Sequence, residues 1–322
     1  MSTRSHTLPR LAATLALLAA AAVQAQPLDG PLRVVVGYAP GGATDMVARF
    51  VGDRLAQKLG VPVVVDNKPG AGGRLAAQQV KTATAGQNVL MVANPAVMVV
   101  APLVFKDAGY DPEKDFQPVA HVNDYDFGLA VGPQVPAKDL KQLFDWMRAN
   151  PAQANVGVPA TGSLPHFFAL MLGQKAKVPT EVVGYKGSAT VITDLIGGQV
   201  PIAVDTFDVQ LPHYQGGKIR ILAMSGTQRS SFAPDVPTFK EAGLDLSASG
   251  WNTFFAPASM PREKVDRLAR EIREVMQEPE MQRRFTDNKL VPVVATREQT
   301  EAMLKAYRAQ WAPVVKTSGY QP

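Results

Sequence analysis

Apolar residues recur along this chain with two periods, and the switches between them lay out its elements. Between Leu32 and Gly73 (LRVVVGYAPGGATDMVARFVGDRLAQKLGVPVVVDNKPGAGG), a β-branched run at Val34, Val35 and Val36 gives way to the turn Pro40-Gly41-Gly42. Val47, Phe50, Val51, Leu55 and Leu59 then return at three- and four-residue spacing. Gly60 and Pro62 stop that pattern, and a second valine run enters a second glycine turn. The stretch predicts a strand buried on both faces, an amphipathic helix capped by Thr44 or Asp45, and a second buried strand: one βαβ unit.

The same reading carries on along the chain. It predicts a helix over 74–81, a strand over 88–93, a helix capped by Asn94-Pro95, and strands over 118–122 and 127–131. A second βα series follows, with a helix over 138–149 and a strand over 155–158. The turn Ala160-Thr161-Gly162-Ser163 then opens a helix bearing His166, Phe167, Leu170 and Met171. Next come a strand over 180–185, a helix over 190–196, a strand over 200–204 that ends at Asp205, and a strand over 219–224. The tail holds a strand over 251–256 and two long helices, whose stripes at Val265, Leu268, Ile272, Val275 and at Met303, Tyr307, Trp311 face a core.

Composition narrows the class. At 322 residues, 46% hydrophobic and 19% charged, the chain can build a sizeable core in two domains. Arg4 and Arg10 precede an Ala/Leu run over 11–22 and a small-x-small site at Val23-Gln24-Ala25, so residues 1–25 read as a cleaved signal peptide and the mature protein as periplasmic. That run is well short of the roughly 20 residues a spanning helix needs. Losing the two arginines lowers the formal charge of +5 by two, and the remaining basic residues alternate with acids, which excludes a nucleic-acid partner. With no cysteine there is no disulfide, thiolate nucleophile or cysteine zinc site, and four scattered histidines give no metal site.

Two turns carry candidate chemistry. PGGATD at 40–45 feeds a helix start whose free N–H groups suit an anion, with no basic side chain nearby; a plain structural turn reads equally well. It matches neither a P-loop nor GxGxxG, so no nucleotide cofactor is expected. PATGSLPHF at 159–167 adds the hydroxyls of Thr161 and Ser163, and its plain alternative is an N-cap by Ser163. Ser163 and His166 could form a nucleophile and base, but no orienting acid is identifiable. Asp205 either caps the segment after its strand or faces a cleft. DNKPGAGG at 66–73 reads as a structural turn.

GYAPGGATDMVAR, VPVVVDNKPGAGG, TGSxxH, YKGSATVITDLIGGQV, GGKIRILAMSGTQR, PDVPTFKEAGL and WxxFFAP, in this order over nearly the whole mature chain, resemble the Bug (TctC-like) periplasmic solute-binding proteins of tripartite tricarboxylate transporters. The resemblance implies an α/β type II periplasmic binding fold with two lobes and a central ligand cleft, lobe 1 from 27–124 and 229–322 and lobe 2 from 125–228. It implies a monomeric, non-enzymatic receptor without cofactor, which holds a small organic carboxylate and delivers it to membrane permease subunits. A sensory receptor serving a membrane kinase and a periplasmic hydrolase are the alternatives. The carboxylate would meet Gly41, Gly42 and Thr44 from one lobe and Thr161, Gly162 and Ser163 from the other. Tyr38, Asp45, His166, Tyr185 and Asp205 stand at matching cleft-facing positions. Ala43 replaces a frequent third glycine, and Arg74, where asparagine is common, reads as a surface residue or a second anion contact.

Overall fold

The computed structural model describes residues 28–318 and 320. The expected leader lies outside the described residues. β1 (Leu32–Val36) is covered on both faces, as its valine run requires: Leu32, Val34 and Val36 join one apolar cluster and Val35 another. α1 (Ala43–Leu59) lays Val47, Val51, Leu55 and Leu59 on the first cluster, and Gly60 ends it at φ 68° with its N–H on Ala56 O. β2 (Val63–Asn67) pairs parallel with β1, which completes the βαβ unit, but as the edge strand it is only half-buried with Val64 exposed, not the buried strand its valines suggest. A 3-10 turn, Ala71–Gly73, leads into α2 (Arg74–Lys81), and β3 (Val89–Ala93) pairs parallel on the other side of β1. A Cβ on Gly37 would sit 2.7 Å from Gly73 Cα, so glycine there lets the second glycine loop press against the end of β1.

After Asn94-Pro95 the chain forms a π-helical segment, Ala96–Val100, that runs into the short α3 (Ala101–Val104). Pro102 has no N–H to return to Met98 and its ring crowds that carbonyl, which wider turns accommodate. β4 (Phe116–Val131) is one strand where the sequence suggests two, because the polar residues 123–126 between the expected strands stay in the ladder, opposite Asn252 to Ser249 of β9. The second series then runs α4 (Leu140–Ala149), β5 (Asn155–Val158), α5 (Leu164–Ala176), β6 (Glu181–Gly184), α6 (Ser188–Ile196), β7 (Ile202–Thr206), α7 (Phe207–Gln215) and β8 (Arg220–Met224). α7 was hidden in the sequence by Pro212 in its interior. β9 (Ser249–Pro257), α8 (Arg262–Gln277), α9 (Pro279–Asp287), β10 (Val291–Pro292) and α10 (Arg297–Thr317) complete the described chain.

The strand order is β2-β1-β3-β9-β4-β7-β5-β6, with β10 and β8 also on β4. β4 belongs to both halves: as far as Asp126 it pairs with β9, and from Phe127 it pairs with β7 and β8. Helices cover each half, α1 and α8 packing Val51, Leu55, Leu268 and Ile272 on the first, and Val191, Ile192 and Leu195 of α6 packing on the second. The segment after β8 stays with the second half, since Ala233 and Val236 join Ile219 and Ile221 in one cluster and Phe239 N–H bonds Met224 O. The chain next pairs in the first half through β9, which lies between β3 and β4.

Candidate ligand-binding site

Two turns of the same design recur, one in each half. In the first, Gly41 takes φ 92° and its N–H donates to Asp45 Oδ2 at 2.8 Å; in the second, Gly162 takes φ 75° and its N–H donates to His166 Nδ1 at 2.8 Å. Each acceptor is the third residue of its helix, and each glycine immediately precedes the N-cap, Gly42 or Ser163. A residue reaching back in this way satisfies a donor outside the helix and fixes the angle at which the chain enters it. The shared spacing was present in the sequence as GGATD and GSLPH.

Asp45 is 2% exposed and also accepts from Arg49 Nε at 3.0 Å and Asn67 Nδ2 at 2.9 Å. Burial pushes its carboxyl up, but the bonds from Arg49, Gly41 and Asn67 prevail and hold it below the usual carboxylate range. Neither Thr44 nor Asp45 caps α1 from its side chain: the Thr44 hydroxyl donates instead to Asn252 Oδ1 at 2.8 Å, and Asn252 Nδ2 bonds Asn123 Oδ1 at 2.5 Å. This buried polar chain ties the first turn to β4 just before it crosses between halves. His166, stacked on Phe167 and met edge-on by Tyr320, has its basicity lowered by burial. Because Gly162 N–H is a donor, Nδ1 must be the acceptor and the proton of the neutral ring sits on Nε2.

Between the halves lies a cavity of about 550 Å³. Of the residues singled out from the sequence, Tyr38, Thr161, Gly162, Ser163, Tyr185 and Asp205 line it, while Gly41, Gly42, Ala43, Thr44, Asp45 and His166 do not. Two expected donors are also already used, since the Gly41 and Gly162 N–H groups serve Asp45 and His166. A third, the Ser163 N–H, bonds Ala160 O. The Ser163 hydroxyl does cap its helix, accepting from His166 N–H at 3.4 Å. What remains open to a ligand in the second turn is the Thr161 hydroxyl and the Leu164 N–H, the first of α5 and so without an intrahelical acceptor.

Sequence reading missed several of the wall residues. The loop read as a plain turn contributes Ala71, Gly72 and Arg74, brought there by the Gly37–Gly73 approach. Asn94, read only as a cap, accepts from Tyr38 Oη at 2.9 Å and from Ala96 N–H at 3.1 Å. Burial drives the Tyr38 hydroxyl up to about 12 despite the Asn94 bond, so it stays protonated. Lys186 and Ser188 follow β6, and Val100, Val104, Phe105 and Leu164 supply apolar wall.

Asp205, fully buried, lies at the end of β7 where Oδ1 accepts from Thr206 N–H at 2.7 Å and Ser188 Oγ at 3.1 Å. Its Oδ2 is buried and has no hydrogen-bond partner among the described residues. Burial raises its pKa to about 7, against the pull of the Thr206 and Ser188 bonds. A second groove of about 560 Å³ runs along Asp124, Asp126, Ser230 and Gln310. Its two aspartates disfavour an anion, and the Arg229 beside them is paired with Glu241 at 3.0 Å. The cavity between the halves is therefore the better anion site, with neutral donors, two cations and apolar wall.

Comparison with known proteins agrees with this architecture. The family described as "Tripartite tricarboxylate transporter family receptor" (TctC) matches residues 47–320. A UPF0065 protein of Bordetella bronchiseptica is 35% identical over 313 residues, 97% of this chain and 93% of the relative. BugT of Bordetella pertussis is 30% identical over 96% of this chain and 98% of its own. Among solved structures, the R. palustris protein Rpa4515 with adipate superposes with a TM-score of 0.84 at 29% identity, covering 91% of this chain and 99% of that one. MatC from Rhodopseudomonas palustris with bound malate gives 0.79 at 29% identity, covering 89% and 99%. The periplasmic binding protein BugD gives 0.80 at 28% identity, covering 91% and 99%. The fold is thus that of a two-lobed periplasmic binding protein, and the chain belongs to the tripartite tricarboxylate transporter receptor family.

Proposed function

We propose that this protein is a periplasmic receptor that captures a small organic carboxylate between its lobes and delivers it to the membrane permease subunits of a tripartite transporter. The observation that carries this reading is the cavity itself: in a chain of this family, it is walled by elements of both halves and offers the Thr161 hydroxyl, the Leu164 N–H, the Tyr38–Asn94 pair and the cations Arg74 and Lys186. Two relatives of the same fold hold adipate and malate. The lobes divide within β4, at Asp126 and Phe127, and again near Ala248, and closure about those crossings would bring Tyr38 and Asn94 towards a ligand held at the second turn. The receptor acts as a monomer.

The hydrolase alternative is disfavoured by the second turn. His166 spends Nδ1 on the Gly162 N–H, and the Ser163 oxygen receives a backbone N–H, so the two side chains are not arranged as base and nucleophile. A thermal-shift screen of the mature protein against mono-, di- and tricarboxylates tests the proposal. A carboxylate at 100 times its Kd should stabilise by about 2.7 kcal/mol. No shift with any member of the panel, or turnover of a bound acid, would overturn it.

A further inference from the structure

Arg74 stands out among the charged groups of the cavity. Its guanidinium carbon lies 3.4 Å from the centroid of the Phe105 ring, and its Nε donates to Ala71 O at 3.0 Å. The plane of the fork is therefore set by stacking on one side and by a backbone carbonyl on the other, which leaves the terminal nitrogens for another acceptor. Among the described residues Arg74 makes no ion pair, whereas Arg33, Arg49 and Lys68 of the same half do. A pre-oriented arginine without a carboxylate, set in the wall of a cavity, is arranged to receive one from a ligand.

Its surroundings define what that ligand must look like. Arg74 and Phe105 belong to the first half, and the wall beside them is apolar, formed by Val100 and Val104. The hydroxyl groups of Thr161 and Ser188 come from the second half. An acid held only at the second turn would leave both the arginine and the apolar wall uncovered. We infer that Arg74 is a specificity determinant for a second anionic group, so that the preferred ligands are dicarboxylates whose two acid groups are separated by an apolar spacer. This inference rests on the carboxylate-receptor reading and names the ligand class within it.

Calorimetric titration of the mature protein with paired probes tests it: each straight-chain α,ω-diacid from succinate to suberate beside the monoacid of equal carbon number, and terephthalate beside benzoate. In the wild type at least one diacid should bind about 10-fold or more tighter than its monoacid. Arg74→Gln should weaken that diacid by about 10- to 100-fold while leaving the monoacid within about threefold, since one charge-assisted, bidentate contact is lost. Arg74→Lys, which keeps the charge but not the stacked fork, should fall between. Melting curves check that both variants fold. If monoacids bind as well as diacids in the wild type, or Arg74→Gln weakens both equally or neither, the assignment of Arg74 is overturned. If no acid of either kind binds the wild type, the carboxylate-receptor reading fails first and takes this inference with it.

Discussion

Replacing Asp45 by alanine removes the acceptor that holds the first turn. Three bonds end on that carboxylate, from Gly41 N–H at 2.8 Å, Asn67 at 2.9 Å and Arg49 at 3.0 Å. The Arg49 side chain is 45% exposed, so its pair is screened and contributes little, about 0–0.5 kcal/mol. The other two are bonds to a charged, buried acceptor, about 1.5–3 kcal/mol each, but both donors regain water when the partner is lost. The expected cost is therefore about 2–4 kcal/mol in urea unfolding, with an unchanged m-value. Asp45→Asn, which keeps one acceptor of the same shape, should cost about half of that. The dependence on pH has a definite sign. The folded carboxyl titrates below the ordinary value of 3.8, so its contribution is complete above that pH and is lost as the pH falls through the lower folded value. Wild type and Asp45→Ala should thus converge in acid. A loss below about 0.5 kcal/mol at pH 7, or a difference that persists in acid, would refute the role of Asp45 as the lock of this turn.

Other substitutions separate the remaining parts of the design. Gly41→Ala, at φ 92°, should destabilise by about 1 kcal/mol, whereas Gly42→Ala, at φ −82° with open space around its Cβ, should be nearly neutral; equal melting curves would contradict the assigned turn geometry. In wild type the buried Asp205 binds a proton that the unfolded chain releases, so its contribution to stability falls as pH rises from about 4 to about 7. Asp205→Asn should flatten that slope and exceed wild type at pH 8 by a few kcal/mol, roughly 1.4 per unit of pKa; parallel stability curves would refute it. His166 has the opposite sign: burial lowers its pKa, so stability is lost as pH falls below 6.5, and His166→Asn should remove that loss. A wild-type profile that keeps the same distance from the variant between pH 8 and 5 would count against neutral His166 as the acceptor of Gly162.

The apolar periods were enough to place most of the elements, because a valine run such as that of β1 and stripes such as Val47, Val51 and Leu55 have few other uses. They failed in three places: the polar run over 123–126 split one strand into two, Pro212 concealed α7, and Pro102 turned an expected helix into a π-helical one. The turns were legible as special, but their wiring was not. Free N–H groups at a helix start suggest an anion site, yet nothing in a linear sequence shows that Asp45 and His166 fold back onto Gly41 and Gly162. Whether a residue lines the cavity depends on approaches such as Gly37 on Gly73, which carries Arg74 into the wall from a loop that reads as a simple turn. Asp205 could be read two ways from the sequence; its Oδ1 accepts from Thr206 N–H and Ser188 Oγ, no side chain caps the helix that follows, and the residue lines the cavity.

The most direct measurement is the crystallographic position of the carboxylate in a complex with whichever acid the screen finds tightest. Its carboxylate oxygens should lie in the cavity between the halves, about 2.7–3.2 Å from the Thr161 hydroxyl or the Leu164 N–H, with the Tyr38–Asn94 pair closing from the other lobe. A ligand bound in the groove beside Asp124 and Gln310, or outside both halves, would contradict the placement of the site.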